Sequence, residues 1–165
     1  MEENYLKEYP SIEGPTGDFG KPCIAFYKYD GSNLRFEWTH KKNWFKFGTR
    51  TRLFDRTDPV FGPAIDLFMA TQAEGIEKVI RDTKDFRNNE RVTVFCEYFG
   101  PKSFAGIHDL ELPNDPMELV LLDVNLHKKG ILSPRQFVDH FGHLKSAQVV
   151  YEGNFNQTLI EEVRN

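Results

Sequence analysis

Two cysteines, Cys23 and Cys96, are all that the 165 residues contain. No C-x-x-C pair and no clustered His/Cys set occurs, which argues against a structural zinc site and a multiply stapled scaffold. Both cysteines lie in apolar, strand-like runs. Two buried free thiols in a reducing compartment are the expectation, with one disulfide as the alternative. No run of eighteen apolar residues exists, so no membrane-spanning helix is expected. The first residues, Met1 to Ser11, are charged and lack the apolar stretch of a signal peptide, so the expected location is cytoplasmic. Repeats, low-complexity tracts and internal linkers are also missing, and residues 1–165 read as one domain or part of one.

Positive charge is in short supply as well. The formal net charge is −4, so affinity for a nucleic acid has to come from a local basic stripe and not from the whole chain. One candidate stripe is Lys41, Lys42, Lys46, Arg50, Arg52 and Arg56. Its alternative reading is a solvated hairpin whose charges protect an edge strand. What the chain does have is aromatic, apolar bulk, including fifteen Phe, enough for a substantial core.

Pro22 to Tyr29 reads as a strand, and Asp30-Gly31 as a tight hairpin turn. The return strand, Ser32 to Thr39, alternates: Leu34, Phe36 and Trp38 face one way, Asn33, Arg35 and Glu37 the other. A turn at His40 to Asn43 leads to a third strand, Trp44 to Thr49. Asp58-Pro59 signals a helix start, and Thr71 to Glu74 a capping box opening a second helix. Arg91 to Tyr98 and Glu118 to Asn125 read as strands, the latter apolar enough for a central position. Ser133-Pro134-Arg135-Gln136 is a capping box before a helix to about Phe141. Gln148 to Tyr151 is a short strand, and a last helix starts near Asn156 with Leu159, Ile160 and Val163 on one face. The expected class is α+β with a mostly antiparallel sheet.

The chemistry concentrates in Lys28-Tyr29-Asp30-Gly31-Ser32-Asn33. A lysine beside a strand-ending turn has its amine held in place, with Asp30 on the same face by alternation. A lysine amine is a nucleophile only after losing its proton, which requires desolvation or nearby positive charge. Gly31 permits close backbone approach to a ligand, and Asn33 offers an amide to a phosphate or sugar oxygen. The alternative is an ordinary exposed lysine on a DG turn.

KYDGSN resembles the signature K-x-D-G-x-N/R of the covalent nucleotidyltransferase superfamily, which comprises ATP-dependent RNA ligases, DNA ligases and mRNA capping enzymes. Three further segments agree in order. Phe47 to Arg50 places Arg50 where the family holds a ribose or nucleic-acid end. Val94 to Gly100 resembles the hydrophobic-x-G-E motif, with Cys96 in the usual Gly position and Glu97 as the sugar-contacting acid. Leu119 to Val124 resembles the next motif, with Leu122 stacking on the purine and Asp123 as the acid. The bland alternative for Glu97 is an acid pointing to solvent. Asp123 inside so apolar a strand needs a partner. Asn33 in place of Arg, and the leader Tyr9-Pro10-Ser11-Ile12-Glu13, resemble phage-type RNA ligases that seal nicked duplexes.

The resemblance implies an antiparallel-sheet nucleotidyltransferase fold, ATP-grasp-like. It implies Lys28 as the residue that takes AMP from ATP, and Tyr27, Asp30, Asn33, Arg50, Glu97 and Leu122 as nucleotide contacts. Mg2+ would lie near Glu97 and Asp123. The nucleic-acid partner implied is RNA with a 5′-phosphate and a 3′-hydroxyl. Two later motifs of the family, E-G-x-V-x-K and a K-x-K strand, do not occur in the sequence. The expectation is therefore an adenylyltransferase domain truncated before its last motifs. It would be impaired alone, and a C-terminal fragment or partner chain would complete it. The alternatives are a non-catalytic or split-ligase module that binds nucleotide or RNA, and a capping-type guanylyltransferase fragment.

Overall fold

The computed structural model describes Tyr9, residues 20–100 and 116–156, and Leu159. The leader beyond Tyr9, and Ile160 and Val163 of the expected last helix, lie outside the described residues. Among the described residues, eight strands and three helices follow in the order β1 (Pro22–Phe26), β2 (Ser32–Thr39), β3 (Asn43–Gly48), β4 (Leu53–Phe54), α1 (Gly62–Thr71), α2 (Ala73–Asp82), β5 (Val92–Phe99), β6 (Glu118–Leu126), β7 (Gly130–Ile131), α3 (Pro134–Phe141) and β8 (Val149–Asn154). Six strands form one antiparallel sheet in the order β4-β3-β2-β5-β6-β7, and β1 pairs with β8 in a separate two-stranded sheet.

Alternation in β2 explains the two layers. Leu34, Phe36 and Trp38 are fully buried and join α1, α2 and α3 side chains in one core. Phe36 stacks on Phe68 of α1 with centroids 4.0 Å apart and planes at 6°. Burying one such ring contributes about 1.5–3 kcal/mol. Trp38 donates its indole N–H to Glu77 of α2 at 3.3 Å. The helices thus cover one face of the sheet. Arg35 and Glu37, on the opposite face, are buried too.

Several expectations change. The Asp30-Gly31 pair does not close a hairpin, because β1 ends at Phe26 and pairs with β8 instead of β2. Residues 27–31 form a crossing, without regular structure, from one sheet to the other. Asp58 does cap, accepting from the Val60 and Phe61 amides at 2.9 and 2.8 Å, but it caps a turn. The helix begins at Gly62, with Pro63 in its first turn. No capping box opens α2: the Thr71 hydroxyl donates back to the Leu67 carbonyl, and Gln72 stands at the N-cap without a side-chain bond to the helix. Its amide instead donates to the carbonyls of Leu119 and Lys145.

The Ser133–Gln136 capping box is present. Strand β6 is not central. It lies next to last, its outer edge met by the short β7 and by residues 145–147, whose backbone bonds Leu121 on both sides. Cys23 and Cys96 are both free; Cys96 is buried and Cys23 only half-buried.

Candidate active site

The crossing 27–31 brings the expected residues together. Its start is held where the Tyr27 amide donates to the Gln148 carbonyl at 2.8 Å, and the Gln148 amide donates to the Tyr29 hydroxyl at 3.3 Å. The Tyr29 ring sits 4.8 Å from Tyr27 and 5.2 Å from Phe99. Lys28, between these two held tyrosines, is exposed. The crossing ends at Gly31, where an added Cβ would stand 2.2 Å from the Tyr98 carbonyl oxygen. Glycine is required here for close backbone approach to β5, not for a turn.

From Gly31 the chain enters β2, and register does the rest. Asn33 lies opposite Glu97 on β5. An open cleft of ≈ 250 Å³ is lined by Gly31, Ser32, Asn33, Arg50 and Glu97. Burial pushes the Glu97 carboxyl up from its usual range. A hydrogen bond from the Gly31 amide and the charges of Arg50 and Lys28 pull it down, and the charge of Asp30 pushes it up. Lys28, Asp30, Asn33, Arg50 and Glu97 therefore share one electrostatic neighbourhood, although strand alternation is not what aligns Lys28 with Asp30.

Arg50 reaches the cleft from a tight loop after β3. The Thr49 hydroxyl accepts from the amides of Thr51 and Arg52, both at 3.2 Å, and the Thr49 amide donates to the Arg52 carbonyl at 2.8 Å. Of the basic stripe, Arg52 is paired with Asp58 at 2.6 Å and Arg56 with Asp66 at 3.0 Å. Lys42 lies over the Phe45 ring.

A β-bulge places Asp123. Phe95 pairs with Asp123 but Cys96 with Leu121, so Leu122 is the extra residue on β6. Leu121 and Val124 both enter the core, and the bulge turns Asp123 onto the face that carries Phe95 and Glu97. There Asp123 Oδ2 accepts from the Tyr9 hydroxyl at 2.9 Å and Oδ1 from the Val124 amide at 3.2 Å. The Tyr9 ring lies 5.0 Å from Phe95. Burial pushes Asp123 up to about 6, against the pull of those two hydrogen bonds. Burial together with Asp123 also raises the Tyr9 phenol. Leu122 is half-buried at the bulge, and Tyr27 is exposed at the start of the crossing.

Two solved structures of a Naegleria gruberi RNA ligase are similar to this chain. An apo mutant of that ligase matches with TM-score 0.57 and 14% identity, over 93% of this chain and 47% of that one. The same ligase with PPi matches with TM-score 0.55 and 16% identity over the same shares. The fold is RNA-ligase-like. This chain spans about half the length of those ligase structures. No family model matches the chain, and no curated protein is significantly similar to it.

Within this RNA-ligase-like fold, no group of three or more His, Cys, Asp or Glu is placed to hold a metal among the described residues. The nearby carboxylates are Glu97, which lines the cleft, Asp30, whose charge acts on Glu97, and Asp123, which is already hydrogen-bonded by Tyr9. That set fits an ion that keeps most of its waters and leans on substrate phosphates, as Mg2+ does. Sequence reasoning missed Tyr9 as the partner of Asp123, though the need for a partner was legible. It also missed Arg35 and Glu37 as buried charges.

Proposed function

We propose that this chain is the adenylyl-transfer part of an RNA ligase of the phage-type, duplex-nick-sealing kind, with ATP as the nucleotide and Lys28 as the nucleophile. The observation that carries this reading is a cleft lined by Asn33, Arg50 and Glu97, with Lys28 and Asp30 close enough for their charges to act on Glu97, in an RNA-ligase-like fold.

The Lys28 amine attacks the α-phosphate of ATP. A nitrogen–phosphorus bond forms, the bond to the bridging oxygen breaks, and pyrophosphate leaves. The AMP then passes to an RNA 5′-phosphate, and a 3′-hydroxyl displaces it as the phosphodiester forms. In-line transfer of this kind depends mainly on alignment and charge neutralisation. Arg50 supplies positive charge at the cleft, and Asn33 offers an amide to a sugar or phosphate oxygen. Glu97, held by the Gly31 amide, accepts from a ribose hydroxyl or from the waters of a bound Mg2+. Leu122 and Tyr27 would cover the base, as the resemblance implies. Mg2+ would neutralise phosphate charge, held by those phosphates and through water by Glu97 and Asp123.

The sequence carries neither downstream lysine motif. Each missing phosphate donor costs on the order of 10²–10³ in rate. Sealing without those donors is therefore slow. The open cleft and exposed Lys28 favour one second reading, a split-ligase or non-catalytic module that binds nucleotide or RNA without turnover. The test is incubation with α-labelled ATP and magnesium, followed by denaturation. Label retained on the chain supports the transferase, and ATP binding without retained label supports the module. Labelled GTP beside ATP tests a capping-type guanylyltransferase.

A further inference from the structure

Arg35 is a buried cation that the proposed chemistry does not use. It projects from β2 on the same face as Asn33, one register step deeper, between Gly48 of β3 and Phe95 of β5. Its Nε is 3.4 Å from Oε2 of Glu37, a carboxylate with no solvent exposure, and Arg91 faces the other Glu37 oxygen at 3.9 Å. Its Nη1 donates to the Thr49 carbonyl at 3.4 Å. Gly48 makes room for the guanidinium: a Cβ there would stand 2.8 Å from Arg35 Cζ and 2.9 Å from Nε and Nη2. Gly48 needs no left-handed backbone, since its φ is not positive, so the space it leaves for Arg35 is the reason for glycine.

The Thr49 carbonyl belongs to the peptide that leads into Arg50. We infer that Arg35 is a positioning residue for Arg50: clamped beneath Gly48 by Glu37, its guanidinium holds the Thr49 carbonyl and thereby fixes the loop that carries Arg50 into the cleft. This role rests on the cleft reading above for its functional consequence, but its structural half stands apart from it. Lysine cannot replace the clamp, because its single ammonium lacks the planar fork that reaches Glu37 and Thr49 together.

The test uses the full chain with Arg35→Lys, Gly48→Ala, Arg50→Ala and the double variant Arg35→Lys/Arg50→Ala. Arg35→Lys keeps a charge opposite Glu37, and Gly48→Ala dislodges Arg35 without altering it, so either serves if the other misfolds. The first readout is amide hydrogen exchange. Thr49, whose amide closes the loop onto Arg52, should exchange about tenfold faster in both single variants, with the β2–β5 amides unchanged. The second is capture of label from α-labelled ATP. Both single variants should capture less, and the double variant should capture no less than Arg50→Ala alone, because Arg35 acts through Arg50. Unchanged Thr49 exchange overturns the inference, as do multiplied losses in the double variant. If the unaltered chain takes no label at all, the ligase reading fails, and Thr49 exchange alone decides whether Arg35 positions the loop.

Discussion

Asn33 and Glu97 are register partners across β2 and β5, the two strands that anchor the middle of the six-stranded sheet. The pair places an amide and a carboxylate side by side at the cleft, and burial raises the Glu97 carboxyl. A carboxyl raised in the folded state holds its proton more tightly there than in the unfolded chain. Its ionisation therefore costs stability, and that cost appears as pH rises above its usual range. Glu97→Gln should leave the melting temperature at neutral pH unchanged or higher while lowering AMP capture by tenfold or more, roughly the effect of removing one strong hydrogen bond. A residue kept for function despite a stability cost behaves this way. Thermal unfolding and label capture on the same preparation check it, and undiminished capture would remove Glu97 from the site.

Asp123 should show the same sign over a defined window. Its carboxyl is pushed from 3.8 to about 6, so between those values the folded chain holds more protons than the unfolded one, and stability falls as pH rises. Full ionisation costs up to roughly 3 kcal/mol. Asp123→Asn should match the parent at pH 4 and melt higher than it at pH 7.5. Parallel melting curves across that range would contradict the burial argument.

Gly31→Ala tests the crossing. Its Cβ would meet the Tyr98 carbonyl, a backbone atom that cannot rotate away. The expected cost is about 1–3 kcal/mol from overpacking, with loss of AMP capture as Lys28 and Asn33 shift. Gly130, whose φ is +92° with nothing near its Cβ position, provides the contrast. Gly130→Ala should cost stability through backbone strain alone and leave capture intact.

For the basic stripe, the ion pairs divide the residues. Arg52 and Arg56 are already engaged by Asp58 and Asp66, which makes Lys41 and Lys42 the better candidates for an RNA path. Neutralising these two should weaken RNA binding and flatten its salt dependence by about 0.7–0.9 in log–log slope for each phosphate they neutralise. An unchanged salt series would return them to solvated decoration.

What the sequence disclosed was local. Alternation in Ser32–Thr39 and the Ser133 capping box depend on neighbours a few residues apart, and both are present in the fold. The six residues of KYDGSN lie on the crossing and the start of β2, beside the cleft, but the hairpin they suggest does not form. The partner of β1 is β8, more than a hundred residues away, and Asp-Gly signals close approach as readily as a turn. Leu121 to Val124 showed no sign of the bulge, because an apolar run has no break in period when one residue is added. Alternation put Arg35 and Glu37 on the face opposite the core but did not disclose their burial, which involves Gly48 and Arg91, neighbours that no short window contains.

Mapping the adduct decides whether Lys28 accepts AMP. The full chain is incubated with ATP and magnesium, digested, and its peptides weighed. One AMP is expected on the peptide containing Lys28, at the Lys28 side chain, and none on any peptide of Lys28→Ala, whose melting temperature should match the parent because the side chain is exposed. AMP on a different residue, or an adduct that survives in folded Lys28→Ala, would contradict it.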